Sequence, residues 1–91
     1  MLTLPAVLTH AVAPGFVRSL TPGLFADPGE VVADAAALQQ FDSSALAVLL
    51  ECRRRALAAG KRFSVHGAPA RLRELAELYG VAELIPSAAT A

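Results

Sequence analysis

The chain has no tryptophan, and it has one tyrosine, one methionine and one cysteine among its 91 residues. A lone cysteine cannot close an intramolecular disulfide, so a disulfide-stapled scaffold is excluded and a reducing compartment is expected. Cys52 stands among apolar neighbours in a predicted helix. It is expected as a small core side chain rather than a reactive thiol. Charge of one sign is also missing: eight Lys and Arg balance eight Asp and Glu, for a formal net charge of zero. Nucleic-acid binders normally carry a basic excess, and the few aromatics here are not interleaved with basic residues. Neither a phosphate-tracking patch nor a base-stacking platform is visible. No apolar run approaches the roughly 20 residues of a membrane span. The opening Met1-Leu2-Thr3-Leu4-Pro5 has no basic segment ahead of its apolar residues, so it does not read as a signal peptide. A cytoplasmic protein that does not insert into membranes is the expectation.

The residue sets of catalysis are equally sparse. There is no glycine-rich phosphate loop. His10 and His66 lack Cys, His or carboxylate companions at metal-ligand spacing, so no metal site is expected. No nucleophile elbow or neighbouring base accompanies a serine. The carboxylates are scattered rather than paired. The sequence therefore predicts no catalytic residue and no cofactor.

What the chain does have is apolar residues, 55% of the total, in patterns that alternate between strand and helix. Its length fits one domain over residues 1–91, with 86–91 as an expected flexible tail. Leu2–Leu8 reads as a strand with Pro5 at an edge or bulge. Residues 10–21 carry a near-helical stripe, although Pro14-Gly15 weakens its start. Asp27-Pro28-Gly29 is a turn signal, Val31-Val32-Ala33 a strand, and 35–41 a connection. A helix over 43–59 follows, ended by Gly60. Lys61–His66 reads as a strand, and Pro69 opens a helix with Leu72, Leu75, Ala76 and Tyr79 at helical spacing. Glu83-Leu84-Ile85 reads as a short strand or turn. Alternating strands and helices imply an α/β layer with parallel neighbours and right-handed crossovers. Charge is uneven along this order: residues 1–42 hold Arg18 against Asp27, Glu30, Asp34 and Asp42, while residues 43–91 hold seven Lys and Arg against four Glu.

The start of the 43–59 helix is the most informative stretch. Asp42, Ser43 and Ser44 are cap-type residues, and Asp42 is the expected helix cap. At about 100° per residue, Leu46, Leu49, Leu50, Ala56 and Leu57 share one arc, with Ala45 and Cys52 at its margin. Glu51, Arg54, Arg55 and Ala58 share the opposite one. Ser44 falls in line with Glu51 and Arg55 on the solvent side, and Ala47 and Val48 flank that line as a small exposed apolar patch. Arg53 falls within the apolar arc, a position that snorkelling would accommodate. Ser43, Ser44, Ala47, Val48, Glu51 and Arg55 are accordingly the expected partner-binding surface. The helix dipole favours negative charge at this end, so Ser44 is also a candidate phosphorylation site.

Val31-Val32-Ala33-Asp34, a short connection, and Phe41-Asp42-Ser43-Ser44-Ala45-Leu46 together resemble the STAS domain signature. Leu49 through Gly60 resembles the helix that follows it. The ending from Leu72 to Tyr79-Gly80-Val81-Ala82-Glu83-Leu84 is similar to the small STAS subunit of the Mla phospholipid-trafficking ABC transporter. The resemblance covers roughly residues 4–86 and implies a mixed β-sheet of about four strands with helices mainly on one face, without enzyme activity. In the transporter branch, the position matching Ser43 and the helix after it contact the ATPase subunit of a system that maintains outer-membrane lipid asymmetry. Such a subunit is cytoplasmic, and peripheral to the inner membrane through its partner. In the anti-sigma-factor antagonist branch, an anti-sigma-factor kinase phosphorylates the serine matching Ser44. The Asp-Ser-Ser motif leaves both branches open.

Overall fold

The computed structural model describes residues 2–25 and 29–87. Strands β1 (Leu2–Thr3), β3 (Glu30–Asp34) and β5 (Arg62–His66) form one sheet in the order β1-β3-β5. Strands β2 (Val7–Leu8) and β4 (Gln40–Phe41) form a separate pair. The helices are α1 (Ala13–Ser19), α2 (Ser44–Ala58) and α3 (Ala70–Leu78), with short 3-10 turns at Pro22–Phe25 and Ala82–Leu84. The architecture is the expected α/β fold, but in place of one mixed sheet of about four strands the described strands form a three-stranded sheet and a separate pair, with every described pairing parallel.

Register explains the core. Leu2 pairs with Ala33, and Ala33 with Val65, while Val31 pairs with Phe63. Paired residues on parallel strands share a face, so these five side chains form one inner surface, and all are buried. Helix α2 packs on that face against β3 and β5, and α1 and α3 pack against α2. On the opposite face Thr3, Arg62 and His66 are exposed, and Val32 and Asp34 are half-buried. Ser64 departs from this pattern, being buried with no hydrogen-bond partner for its hydroxyl.

Several boundaries differ from the sequence reading for identifiable reasons. The single strand over 2–8 is two short strands. Leu4 N–H still donates to the Asp34 carbonyl at 2.9 Å, but Pro5 has no N–H to continue the ladder. The chain then pairs elsewhere: the Ala6 carbonyl accepts from both Gln39 and Gln40, which starts β4 inside the expected connection. Helix α1 begins three residues later than expected because Thr9 to Val12 form a turn, the Thr9 carbonyl accepting from Val12 and Ala13. Pro14 then lies in the first turn, where a missing N–H costs nothing. Of the strand or turn expected at Glu83–Ile85, the structure has the turn, a 3-10 segment over Ala82–Leu84.

The expected tail is partly held. Val65 N–H donates to the Pro86 carbonyl at 2.8 Å, and Ser87 bridges Val65 in parallel. Arg73 clasps the same segment, donating to the Ile85 carbonyl at 2.6 Å and to Ser87 Oγ at 2.7 Å. Residues 88–91 of that tail, and Asp27 and Pro28 of the expected turn, lie outside the described residues.

Both long helices end alike. The Lys61 N–H donates to the Ala56 carbonyl and the Gly60 N–H to Leu57, and Val81 and Gly80 repeat the pattern onto Ala76 and Glu77. This double bond requires a left-handed residue at the turn, supplied by Gly60 at φ +76° and Gly80 at φ +73°.

Candidate functional site

The α2 start is organised by one carboxylate. Asp42 Oδ1 accepts the Ser44 N–H at 2.8 Å, and Oδ2 accepts the His10 N–H at 3.0 Å. One side chain thus satisfies an orphan donor of the helix and ties down the loop entering α1. Those two backbone bonds, His10's first and then Ser44's, hold the Asp42 carboxyl below its ordinary range. Ser43 occupies the N-cap position with helical φ and ψ, and its side chain makes no cap bond.

The rotation of α2 differs from the sequence projection. Its buried side chains are Ala45, Leu46, Val48, Leu49, Cys52 and Ala56. Leu46 and Leu49 are buried as projected, with Ala45 and Cys52 beside them. Leu50 is only half-buried, and Leu57 is 47% exposed. The buried stripe is thus turned towards Val48 and away from Leu50 and Leu57. This rotation corrects the expected exposure of Val48, which is 2% exposed. It also brings Ser44 to a half-buried position and Arg53 to the margin of the buried stripe, half-buried rather than within it. Ser43 and Ala47 are exposed, and Glu51 and Arg55 are half-buried. The Cys52 thiol is fully enclosed, and burial pushes its pKa up to about 11.

Helix α1 and the turn before it supply the other wall of a groove at this site, which the sequence did not reveal. His10, Ala13 and Val17 face Ser44, Ala47 and Val48 across a concavity of about 420 Å³. Val48 lines this groove as a buried side chain, while Ala47 stands exposed beside it.

Further along α2, three charges are joined. Arg54 donates from Nε to Glu51 Oε1 at 2.9 Å and from Nη2 to Oε2 at 2.7 Å. Arg55 donates from Nε to the same Oε2 at 2.7 Å. The Arg54 and Arg55 hydrogen bonds hold the Glu51 pKa down at about 2. Glu51 and Arg55 belong to the expected surface, and Arg54 joins them. The i,i+3 and i,i+4 spacing of the three residues was the available signal.

Among the described residues no three His, Cys, Asp or Glu side chains group as a cation site. No described helix is long and apolar enough to cross a membrane. The α2 start thus combines exposed Ser43 and Ala47, a groove beside them and a fixed charge cluster further along the helix. A comparison with curated proteins finds no match. A family model described as Mlab, STAS domain, matches residues 1–86. That family consists in general of binding and regulatory domains, and this chain belongs to it as a STAS domain protein.

Proposed function

We propose that the chain is a non-catalytic STAS subunit that binds and regulates the ATPase of a phospholipid-trafficking ABC transporter. In this reading it acts in the cytoplasm, peripheral to the inner membrane through its partner, in a system that maintains outer-membrane lipid asymmetry. The description of the matching family model, Mlab, STAS domain, and the resemblance of the Leu72 to Leu84 ending are what motivate the transporter branch. The contact surface is the exposed side of the α2 start, with Ser43, Ser44 and Ala47 at one end and Glu51 and Arg55 at the other. Small side chains there permit close approach, and the charges beyond fix orientation. Val48 lies beneath this surface and supports it rather than touching the partner.

The deciding experiment is co-expression with a candidate transporter ATPase subunit. Stable co-purification and a changed rate of ATP hydrolysis are expected. Absence of a complex, together with phosphate transfer to Ser44 by a candidate anti-sigma-factor kinase, would instead support the antagonist reading. That alternative rests on the Ser44 hydroxyl, which is only half-buried at the groove.

A further inference from the structure

A second concavity lies at the far end of α2. It measures about 520 Å³ and is walled by Leu20 and Phe25 on one side and by Arg54, Arg55, Ala58 and Ala59 on the other. Leu20 and Phe25 are 8% and 6% exposed, so its floor belongs to the core. Among the described residues its only charged lining residues are the two arginines.

The geometry points to this groove as a docking site for a partner peptide that sets one carboxylate beside an apolar side chain. Three observations choose that occupant. First, Glu51 is one carboxylate shared by two guanidinium groups, so the cluster keeps one unit of positive charge. Second, Arg55 uses only Nε for that pair, so among the described residues its two terminal amino groups have no hydrogen-bond partner. They present a planar fork that suits a single carboxylate in bidentate contact. The Arg55 side chain is 31% exposed, so this charge is partly sheltered from screening. Third, Ala58 and Ala59 are exposed methyl-sized residues, which leave room for a backbone to approach. An acyl chain suits the groove less well. A small ligand binds when most of its surface is enclosed, whereas this concavity is open along one side. A peptide buries one face here and leaves the other in water.

The test uses the isolated, isotope-labelled domain and a capped peptide of about eight residues with one glutamate between leucines. Titration should shift the Ala58 and Ala59 amides and the Arg55 Nε–H in a saturable way. Replacing the peptide's glutamate with glutamine should weaken binding about tenfold. Arg55→Gln should give a similar loss. Ala58→Glu should do so as well, by repelling the carboxylate and by competing for Arg55 at i,i+3 spacing. Glu51→Gln should strengthen binding, because it releases both guanidinium groups. Equal affinity for the glutamate and glutamine peptides would overturn the proposal. So would unchanged binding in Ala58→Glu, shifts confined to other surfaces, or preferential binding to vesicles containing anionic phospholipid. Since no ATPase subunit is present, a failed complex in the preceding experiment leaves this result independent.

Discussion

Asp42 and His10 are 32 positions apart, yet Asp42 Oδ2 accepts the His10 backbone N–H at 3.0 Å. The second oxygen of the same carboxylate holds the first turn of α2 through Ser44. The loop into α1 and the start of α2 are thereby fixed relative to each other, and the groove between them inherits that geometry. Asp42→Ala should lower the denaturation midpoint and accelerate hydrogen exchange at the His10 and Ser44 amides together. Asp42→Asn keeps one carbonyl acceptor and should restore protection at one of the two amides, not both. Unchanged exchange at both sites in the alanine variant would show that packing alone positions the junction.

Glu51 gives the domain an acid-sensitive element. Its folded pKa is held down at about 2, against an ordinary value of 4.5. The unfolded chain therefore binds the proton more tightly, and stability rises with pH through this window. The contribution is present above about pH 4.5 and is lost as pH falls towards 2. Asp42, also lowered, adds a loss of the same sign below its ordinary 3.8. Urea denaturation midpoints measured across this range should fall with acid. Glu51→Gln should flatten the slope without removing it, because Asp42 remains. Both groups are substantially solvated, so the slope should also shrink in high salt.

Gly67 ends β5 at φ +69°, and a Cβ built there would lie 2.9 Å from Ala36 Cβ. Two costs coincide at this position. A left-handed conformation for a residue with a side chain costs about 1–2 kcal/mol, and the close approach allows no relaxation without moving the β3–β4 connection. Gly67→Ala should therefore destabilise the domain by at least about 2 kcal/mol in chemical denaturation. Gly60→Ala has nothing within 4 Å of its added Cβ. It should cost only the backbone term, about 1 kcal/mol.

Ser64 tests the opposite direction. Its Oγ is buried without a partner, so the folded state already bears the desolvation of that hydroxyl. Ser64→Ala should be neutral or stabilising by up to about 1 kcal/mol. By contrast, Leu49→Ala on the fully buried face of α2 should cost about 2–5 kcal/mol. A marked loss of stability in Ser64→Ala would mean that the hydroxyl is hydrogen-bonded in solution.

These effects also show which features were written locally in the sequence. The ends of α2 and α3 were legible because Gly60 and Gly80 supply a conformation that other residues resist. Strands β3 and β5 were legible because Val31, Phe63 and Val65 are apolar residues that must find a common face. Strand β4 was not, since Gln40 and Phe41 become a strand only by pairing with Val7 and Leu8. The rotation of α2 was legible only in part: Leu46, Leu49 and Ala56 are buried as their spacing implied, but the buried stripe turns towards Val48 and away from Leu50 and Leu57, which helical spacing alone does not fix. Glu51, Arg54 and Arg55 were visible as a spaced set on one helix. The α1 wall of the groove was not, because His10, Ala13 and Val17 reach Ser44 only through tertiary packing.

Ala47 and Val48 are adjacent in sequence and opposite in environment, which makes them the sharpest probe of the partner surface. Ala47 is exposed, and Val48 is 2% exposed within the core. Ala47→Glu adds a charge in water, in the first turn of a helix whose dipole favours an acid there, so the fold should be retained with stability changed by less than about 0.5 kcal/mol. If the partner covers this surface, that charge must be desolvated without a matching cation, and co-purification with the ATPase subunit should be lost. Val48→Arg places a guanidinium where the groove meets the core, and it should destabilise the domain by about 3 kcal/mol or more. Its failure to bind would then reflect unfolding, visible in the circular dichroism spectrum. The informative pairing is therefore a folded, non-binding Ala47→Glu beside a destabilised Val48→Arg. Normal co-purification by folded Ala47→Glu would remove the α2 start from the partner interface, and a fully stable Val48→Arg would refute the helix rotation itself.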